Sequence, residues 1–194
     1  IYLRYTDLVE PFGIDESWLD VTGTLHLFHT DGKGLADEIR RVVREELGLT
    51  LSVGVSYNKV YAKLGSDYKK PDATTVISRE NRRQILDPLP VTDLLFVGGS
   101  SAKTLASLGI RTIGQLAAFD PRVLAARMGR MGETIHDYAA GLDDSPVLPF
   151  DHQREVKSVG NGITFRRNLT QMEDVRTGVT ALADQVARRL RQHG

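Results

Sequence analysis

Two adjacent carboxylates, Asp15 and Glu16, are the residues of this sequence best suited to chemistry. They interrupt an apolar run over residues 12–21, whose composition predicts a strand or the edge of one. Because successive side chains of a strand point to opposite faces, such a pair is hard to bury there without a cation or another partner. Mg²⁺ binds one or two protein carboxylates together with phosphate oxygens and water, so the pair suits phosphoryl transfer. A solvated strand end would carry the same two residues.

A lysine-rich segment follows further along the chain. Lys63, Lys69 and Lys70 lie near the end of a predicted helix, and Pro71 begins the turn after it. Lysines in this position can reach a triphosphate as compact point charges. The alternative is that they only complement the negative end of the helix dipole and keep the surface solvated.

A glycine-rich turn, Val97-Gly98-Gly99-Ser100-Ser101, stands between two short predicted helices. Backbone N–H groups at a helix start can bind a DNA phosphate without reading the base sequence. An ordinary pair of antiparallel helices would place glycine in the same turn.

The elements that must position these residues form three parts. Residues 1–77 read β-α-β-α-β, which predicts a sheet covered by helices on at least one face. The predicted strands are residues 12–21, 51–55 and 74–77. The predicted helices are residues 35–47, ended by Gly48, and a second helix capped by Ser56 or Asn58 and running to about Lys69.

The remainder of the sequence predicts helices and one further strand. Residues 78–146 read as short helices, one of them opened by Asp120-Pro121. Residues 147–156 read as a linker, and Lys157 to Arg167 as a strand. Thr170 and Glu173 form a capping box before a long helix, whose apolar stripe predicts contact with a core.

Composition narrows the function classes. The 194 residues are 41% hydrophobic and 26% charged, as in ordinary globular proteins, and the absence of cysteine excludes disulfides and thiolate metal sites. The five histidines show no paired metal spacing, and no apolar run approaches the roughly 20 residues of a membrane helix. Formal charge is −3 over residues 1–77, zero over 78–150 and +3 over 151–194. The basic end fits contact with a nucleic-acid backbone, although a solvated helix face gives the same count.

The order of motifs resembles the Y-family translesion DNA polymerases, in the DNA polymerase IV branch. Ile14-Asp15-Glu16-Ser17-Trp18-Leu19-Asp20 is similar to the second catalytic carboxylate motif of that family. The similarity continues in order through Ser52-Val53-Gly54-Val55-Ser56-Tyr57-Asn58-Lys59, Ala62-Lys63, Lys70-Pro71-Asp72, Leu89-Pro90-Val91, Leu108-Gly109-Ile110, Thr112-Ile113-Gly114 and Lys157-Ser158-Val159-Gly160.

The resemblance implies an α+β protein with three domains. Residues 1–77 would be a partial palm with a ferredoxin-like βαβ sheet, and residues 78–146 a small all-α thumb with a helix-hairpin-helix. Residues 147–156 would be a linker and 157–194 the beginning of an α/β little finger. The family hairpin normally reads Gly-apolar-Gly, and here Phe96 stands at the first glycine.

The resemblance also implies roles for individual residues. Asp15 and Glu16 would be catalytic and would bind two Mg²⁺ ions, and Lys70 would contact the incoming dNTP. The residues implied to contact DNA are Val97, Gly98, Gly99, Ser100, Ser101, Lys157, Ser158, Arg166 and Arg167.

The function implied is a DNA-directed DNA polymerase, a cytoplasmic nucleotidyltransferase that binds primer–template DNA and copies damaged bases. The chain is expected to be a fragment without the first palm strand, the fingers and most of the little finger, and inactive alone. A sliding-clamp contact is expected outside it, and no membrane partner. The alternatives are a catalytically dead homologue, a nucleotide cyclase with a similar palm, and a helix-hairpin-helix module that only binds DNA.

Overall fold

The computed structural model describes residues 1–152 and 155–192, and the chain divides into two compact units, Ile1–Phe150 and a second that starts at Asp151. The first unit contains four strands, β1 (Val9–Pro11), β2 (Ser17–Leu19), β3 (Val53–Ser56) and β4 (Thr74–Ile77). Its helices are α1 (Gly32–Leu47), α2 (Lys59–Tyr68), α3 (Arg82–Leu86), α4 (Gly99–Ser107), α5 (Ile113–Ala117), α6 (Pro121–Met128) and α7 (Arg130–Ala140). The α+β class expected from the sequence is confirmed.

The acidic pair lies in a turn between two short strands, so the strand expected over residues 12–21 is wrong as a continuous element. Strands β1 and β2 pair antiparallel, with Val9 opposite Leu19 and Pro11 opposite Ser17. The backbone N–H of Phe12 donates to the carbonyl of Glu16 at 2.9 Å and closes the turn. Two neighbouring carboxylates keep their hydration in a turn, which a paired strand with one covered face would deny to one of them.

Strands β3 and β4 pair parallel and are joined by α2, the crossover expected of a βαβ unit. Among the described residues they form a sheet separate from the β1–β2 hairpin, so the first unit contains two sheets where the sequence suggested one. Gly54 and Gly65 let β3 and α2 approach backbone to backbone. A Cβ at Gly54 would lie 1.8 Å from the carbonyl oxygen of Ala62.

The sequence predicts the end of α1 and the start of α2, whereas α1 begins at Gly32, three residues before the predicted start. Asn58 caps α2 by accepting a hydrogen bond from the N–H of Tyr61, an interaction worth about 1 kcal/mol. Gly48 ends α1 in the left-handed conformation that glycine adopts without strain. Buried Leu35, Ile39 and Val43 of α1 pack with Tyr5 in a small core.

A larger core joins the βαβ unit to the helices after residue 77. Tyr61 and Leu64 of α2 and Ile77 of β4 belong to the same buried cluster as Leu105, Leu116, Leu124 and Ile135 of the later helices. The predicted Asp120-Pro121 start of α6 is confirmed.

The C-terminal turn of α7 docks on α2 and on the first residue of α3 through polar contacts. The hydroxyl of Tyr61, which is 1% exposed, donates to the carbonyl of Ala139 at 2.9 Å, and Arg82 donates to the carbonyl of Ala140 at 3.0 Å. Gly141 then turns with φ +75°, and a Cβ there would lie 2.8 Å from the Tyr61 hydroxyl. These side chains satisfy carbonyls that the end of a helix leaves without intrahelical partners.

The second unit contains α8 (Met172–Gln192), which begins two residues after Thr170. Residues 157–167 form no strand, so that expectation is wrong. A strand needs a neighbour to receive its backbone hydrogen bonds, and the described residues of this unit contain none. The stripe expected to meet a core is also largely exposed, as Met172, Val179 and Leu190 show.

No helix in the described part of the chain is both long enough and apolar enough to cross a membrane.

Candidate active site

The β1–β2 turn presents both carboxylates beside Gly13. Asp15 is exposed and Glu16 is partly exposed. A Cβ built on Gly13 would lie 3.9 Å from Asp15 Oδ1 and 3.9 Å from Glu16 Oε2. One oxygen of each carboxylate therefore borders the same space, and both are hard donors of the kind that Mg²⁺ prefers.

The other Glu16 oxygen is held by a lysine of α2. Lys63 Nζ lies 2.5 Å from Glu16 Oε1 and 2.9 Å from Asp67 Oδ2. Partial burial disfavours the charged form of Lys63, but the hydrogen bonds to Glu16 and Asp67 prevail and raise its pKa. Lys63 therefore stays protonated beside the acidic pair.

Lys70 is joined to this group through Asp67. Its Nζ lies 2.6 Å from Asp67 Oδ1, and its side chain is 55% exposed. Burial works to raise the pKa of Asp67, yet the hydrogen bonds from Lys70 and Lys63 lower it overall. Sequence reasoning named Lys63 only among the lysines that could reach a triphosphate and assigned no role to Asp67, although their i, i+4 spacing places both on one face of the predicted helix.

The turn after Lys70 is fixed by arginines of α1. The mostly buried Arg40 donates to Asp72 Oδ1 at 2.8 Å and to Thr74 Oγ1 at 3.2 Å, and Arg44 also pairs with Asp72. Asp72 has φ +51°. Hydrogen bonds and ion pairs from two arginines stabilise this less common backbone conformation and so fix the turn that follows Lys70.

A buried ion pair anchors the acidic hairpin to α2. Lys59 Nζ lies 2.5 Å from Glu10 Oε2, with side-chain exposures of 12% and 9%. The ammonium also lies 5.2 Å from the ring centroid of Trp18, whose indole N–H donates to the carbonyl of Lys59 at 3.0 Å. Glu10 accepts a further hydrogen bond from the N–H of Leu148 at 2.9 Å. Lys59 and Lys63 are one helical turn apart, so α2 grips the hairpin at two points.

The sequence-predicted metal and nucleotide residues share one open depression of about 840 Å³. Asp15, Glu16, Lys63 and Lys70 all line it. Across residues 1–152 and 155–192, however, no group of three or more His, Cys, Asp or Glu side chains is arranged to hold a metal ion. The described residues thus supply two convergent carboxylates and a nearby cation cluster.

The predicted DNA contacts lie in two places. Gly98 precedes α4, and Gly99, Ser100 and Ser101 form its first turn, whose N–H groups have no intrahelical acceptors. Val97 differs from them, because its side chain is buried and its N–H donates to the carbonyl of Leu94.

Phe96 adopts φ +66°, so the position where the family normally has glycine keeps a glycine-like backbone. Its side chain is 54% exposed, and its ring centroid lies 6.2 Å from that of Tyr138.

The predicted DNA contacts in the second unit are all exposed: Lys157, Ser158, Arg166 and Arg167. Arg167 pairs with Asp174 of α8 at 2.6 Å.

Two family models match the chain. Residues 1–67 match the impB/mucB/samB family, and residues 156–194 match the impB/mucB/samB family C-terminal domain. Both descriptions name one family, and together the matches cover more than half of the chain.

Curated relatives align along the entire chain. The DNA polymerase IV of Acetivibrio thermocellus is 49% identical over 193 residues, which are 100% of this chain and 48% of the relative. That of Desulfatibacillum aliphaticivorans is 40% identical over 192 residues, 99% of this chain and 48% of the relative. The chain spans about half the length of the curated relatives it matches.

Solved structures share the fold. DinB from Sulfolobus solfataricus superposes with a TM-score of 0.66 at 27% identity, covering 75% of this chain and 43% of that one. A Y-family DNA polymerase chimera of Dbh and Dpo4 superposes with a TM-score of 0.77 at 24% identity, covering 96% and 53%. The family matches, the relatives and this fold agree, and the chain therefore belongs to the impB/mucB/samB family, in the DNA polymerase IV branch of the Y-family DNA polymerases.

Proposed function

We propose that this chain supplies part of the palm, the thumb and the start of the little finger of a translesion DNA polymerase. The enzyme adds dNTPs to a primer and copies past damaged template bases. The observation that carries the proposal is the convergence of Asp15, Glu16 and Lys70 on one open depression. This chain aligns over 99–100% of its length with relatives named DNA polymerase IV.

Asp15 and Glu16 are the residues that would hold divalent metal. The oxygen-only donor pair and its exposure fit Mg²⁺, which retains several waters and takes its remaining ligands from phosphates. Two such ions, when bound, stabilise the attacking 3′-oxygen and the departing pyrophosphate. The protein's own part is to keep one oxygen of each carboxylate facing the same space beside Gly13.

Lys70 would bind the triphosphate. Its exposed ammonium lines the same depression as the acidic pair and precedes the turn that Arg40 fixes. A lysine offsets phosphate charge as a mobile point charge, which suits a substrate that must enter and leave.

DNA would be held by its backbone. The N–H groups at the start of α4 in residues 78–146 and the exposed Lys157, Ser158, Arg166 and Arg167 in residues 157–194 are suited to phosphates. In this division residues 1–77 act as the palm and 147–156 as the linker. A cytoplasmic location and contact with a sliding clamp stay predictions.

A chimera tests the proposal. The aligned half of the Acetivibrio thermocellus DNA polymerase IV is replaced by this chain, and primer extension is measured on an undamaged and a lesion-bearing template. We expect nucleotide addition on both templates.

Asp15→Asn or Glu16→Gln in this chimera should abolish addition and leave DNA affinity within about twofold, because metal neutralisation acts on the transition state whereas affinity comes from phosphate contacts. Asp144→Asn, an exposed carboxylate, serves as the control. If either site variant kept a rate within tenfold of the unmodified chimera, the catalytic assignment would fail.

A further inference from the structure

Four side chains of alternating charge connect the acidic hairpin to the nucleotide lysine. Glu16 contacts Lys63 at 2.5 Å, Lys63 contacts Asp67 at 2.9 Å, and Asp67 contacts Lys70 at 2.6 Å. Both interior members have two partners each. Lys63 divides its ammonium between two carboxylates, and Asp67 divides its carboxylate between two ammonium groups.

Lys63 and Asp67 lie one turn apart on α2, at the i, i+4 spacing at which side chains on a helix surface meet. Lys70 follows the end of α2 at Tyr68, and its ammonium contacts the carboxylate of Asp67 three residues earlier. Side-chain exposure is 34% at Glu16, falls to 20% at Lys63, and rises to 44% at Asp67 and 55% at Lys70. Solvent therefore screens the charge least at Lys63, whereas Lys70 is open to ligands.

We infer that Lys63 competes with the divalent cation for Glu16, and that Asp67 transmits the result of this competition to Lys70. This inference rests on the proposed function, since it requires the acidic pair to bind a cation. Lys63 and Asp67 are positioning residues in this scheme and do not touch the reacting atoms.

The direction of the coupling follows from the charges. A cation at Glu16 repels the Lys63 ammonium and weakens its bond to that carboxylate. Lys63 then depends more on Asp67, which holds Lys70 less tightly and frees it for a triphosphate. By thermodynamic reciprocity, a triphosphate that draws Lys70 away lets Asp67 hold Lys63 and leaves Glu16 more open to the cation.

Terbium luminescence provides a test that does not depend on catalysis. Trp18 is the single tryptophan of the chain and is two residues from Glu16, so Tb³⁺ at the acidic pair would be excited by energy transfer from Trp18. Tb³⁺ seeks hard oxygen donors and stands in for Mg²⁺. The 194-residue chain is titrated with Tb³⁺, with tryptophan excited selectively.

Lys63→Met should raise Tb³⁺ affinity about threefold, a modest change because partly exposed ion pairs contribute little. Asp67→Asn should lower the affinity, because Lys63 then has only Glu16 as a partner. Lys33→Met is the control for Lys63→Met. It also removes one positive charge, from the exposed Lys33–Asp37 pair of α1, and should leave the Tb³⁺ affinity unchanged within the measurement error.

A double-mutant cycle separates the relay from simple charge attraction. If Lys63 carries the coupling, Asp67→Asn has no effect once Lys63 is Met. Additive effects in the double variant would overturn the relay, as would a loss of affinity in Lys63→Met.

Should Lys63→Met not fold, a second cycle carries the same test. Lys70→Met should raise Tb³⁺ affinity in the wild-type background and have no effect once Asp67 is Asn. A Lys70→Met effect that persisted in the Asp67→Asn background would overturn the relay.

Failure of the proposed function would be distinguishable. Sensitised luminescence that survived Glu16→Gln would overturn both the metal assignment and the relay. Luminescence that is lost in Glu16→Gln but unchanged in Lys63→Met and Asp67→Asn would overturn the relay alone.

Discussion

The role of a charged residue in this chain depends on its burial and on the side chain that it contacts. Glu10 and Glu16 are both glutamates of one hairpin and both pair with lysines of α2. Glu10 and Lys59 are almost fully buried and anchor the hairpin, whereas Glu16 keeps one oxygen facing open space beside Asp15. Burying a charged pair is favourable only with further hydrogen bonds, and Leu148 supplies one to Glu10.

The partly engaged Glu16 makes a prediction about metal. Calorimetric titration of this chain with Mg²⁺ should show no sub-millimolar binding. Two carboxylates, one of them shared with Lys63, offer too little charge to dehydrate an ion that keeps its waters strongly. Sub-millimolar affinity that Glu16→Gln removes would reveal a further ligand that the acidic pair recruits.

Phe96 makes a prediction about backbone strain. The left-handed conformation costs an L-residue about 1–2 kcal/mol, and glycine does not carry this penalty. Phe96→Gly should therefore be more stable than Phe96→Ala by about 1 kcal/mol in chemical denaturation. Both variants lose the ring and its contact with Tyr138, so their difference isolates the backbone. An alanine variant equal to or more stable than the glycine variant would contradict the prediction.

At the scale of elements, α2 organises the site. Its first turn holds Lys59, its second holds Lys63, and its packing against β3 depends on glycine at the contact. Through these contacts α2 fixes the position of the acidic hairpin relative to the parallel sheet.

The close contact between β3 and α2 makes a prediction about stability. Gly54→Ala places a methyl group within 1.8 Å of a backbone carbonyl of α2, and backbone cannot move aside as a side chain can. We expect a loss at or above the upper end of the roughly 1–3 kcal/mol typical of overpacking. Gly23→Ala, whose Cβ would meet nothing within 4 Å, is the matched control for thermal unfolding. Similar melting temperatures for the two variants would refute this account of the contact.

The elements found from sequence were those with local signals. Asn58 starts α2 with its side-chain cap and Gly48 ends α1 with its left-handed backbone, and both ends were predicted, whereas the start of α1 at Gly32 was placed three residues too late. The acidic turn was misread as a strand because apolar residues on both sides of it, such as Phe12 and Trp18, pack together across the hairpin. Pairing between distant residues, such as Lys63 with Glu16, has no local signal. Periodicity reports which face is apolar, and only the fold determines which residues meet.

At the scale of the whole molecule, charge is divided between the ends of the sequence. Formal charge is −3 over residues 1–77, which contain the acidic pair, and +3 over 151–194, where Arg166 and Arg167 are exposed. The acidic end suits cations, and the basic end suits a phosphate backbone.

This division makes a prediction about DNA. The chain should bind duplex DNA weakly, without sequence preference, and with affinity that falls steeply as salt rises, because counterion release drives phosphate contacts. Fluorescence anisotropy with two unrelated duplexes across a salt series measures all three properties. The substitutions Lys157→Gln, Arg166→Gln and Arg167→Gln should each weaken DNA binding and reduce its salt dependence. Lys33→Gln, the control, should do neither. A strong preference for one duplex would indicate a module that reads sequence.

The docking of α7 on α2 and α3 limits how the helical part of this chain can be exchanged with that of a relative. Tyr61 and Arg82 reach the carbonyls of Ala139 and Ala140, and Gly141 leaves no room for a side chain beside Tyr61. An exchange of the helical part between relatives would therefore have to transfer Tyr61, Arg82 and Gly141 together. A hybrid protein with its crossover between residues 61 and 82 would take Tyr61 from one parent and Arg82 from the other. An alanine at position 141 would clash with the Tyr61 hydroxyl. These contacts therefore determine which crossover positions natural or laboratory recombination can tolerate.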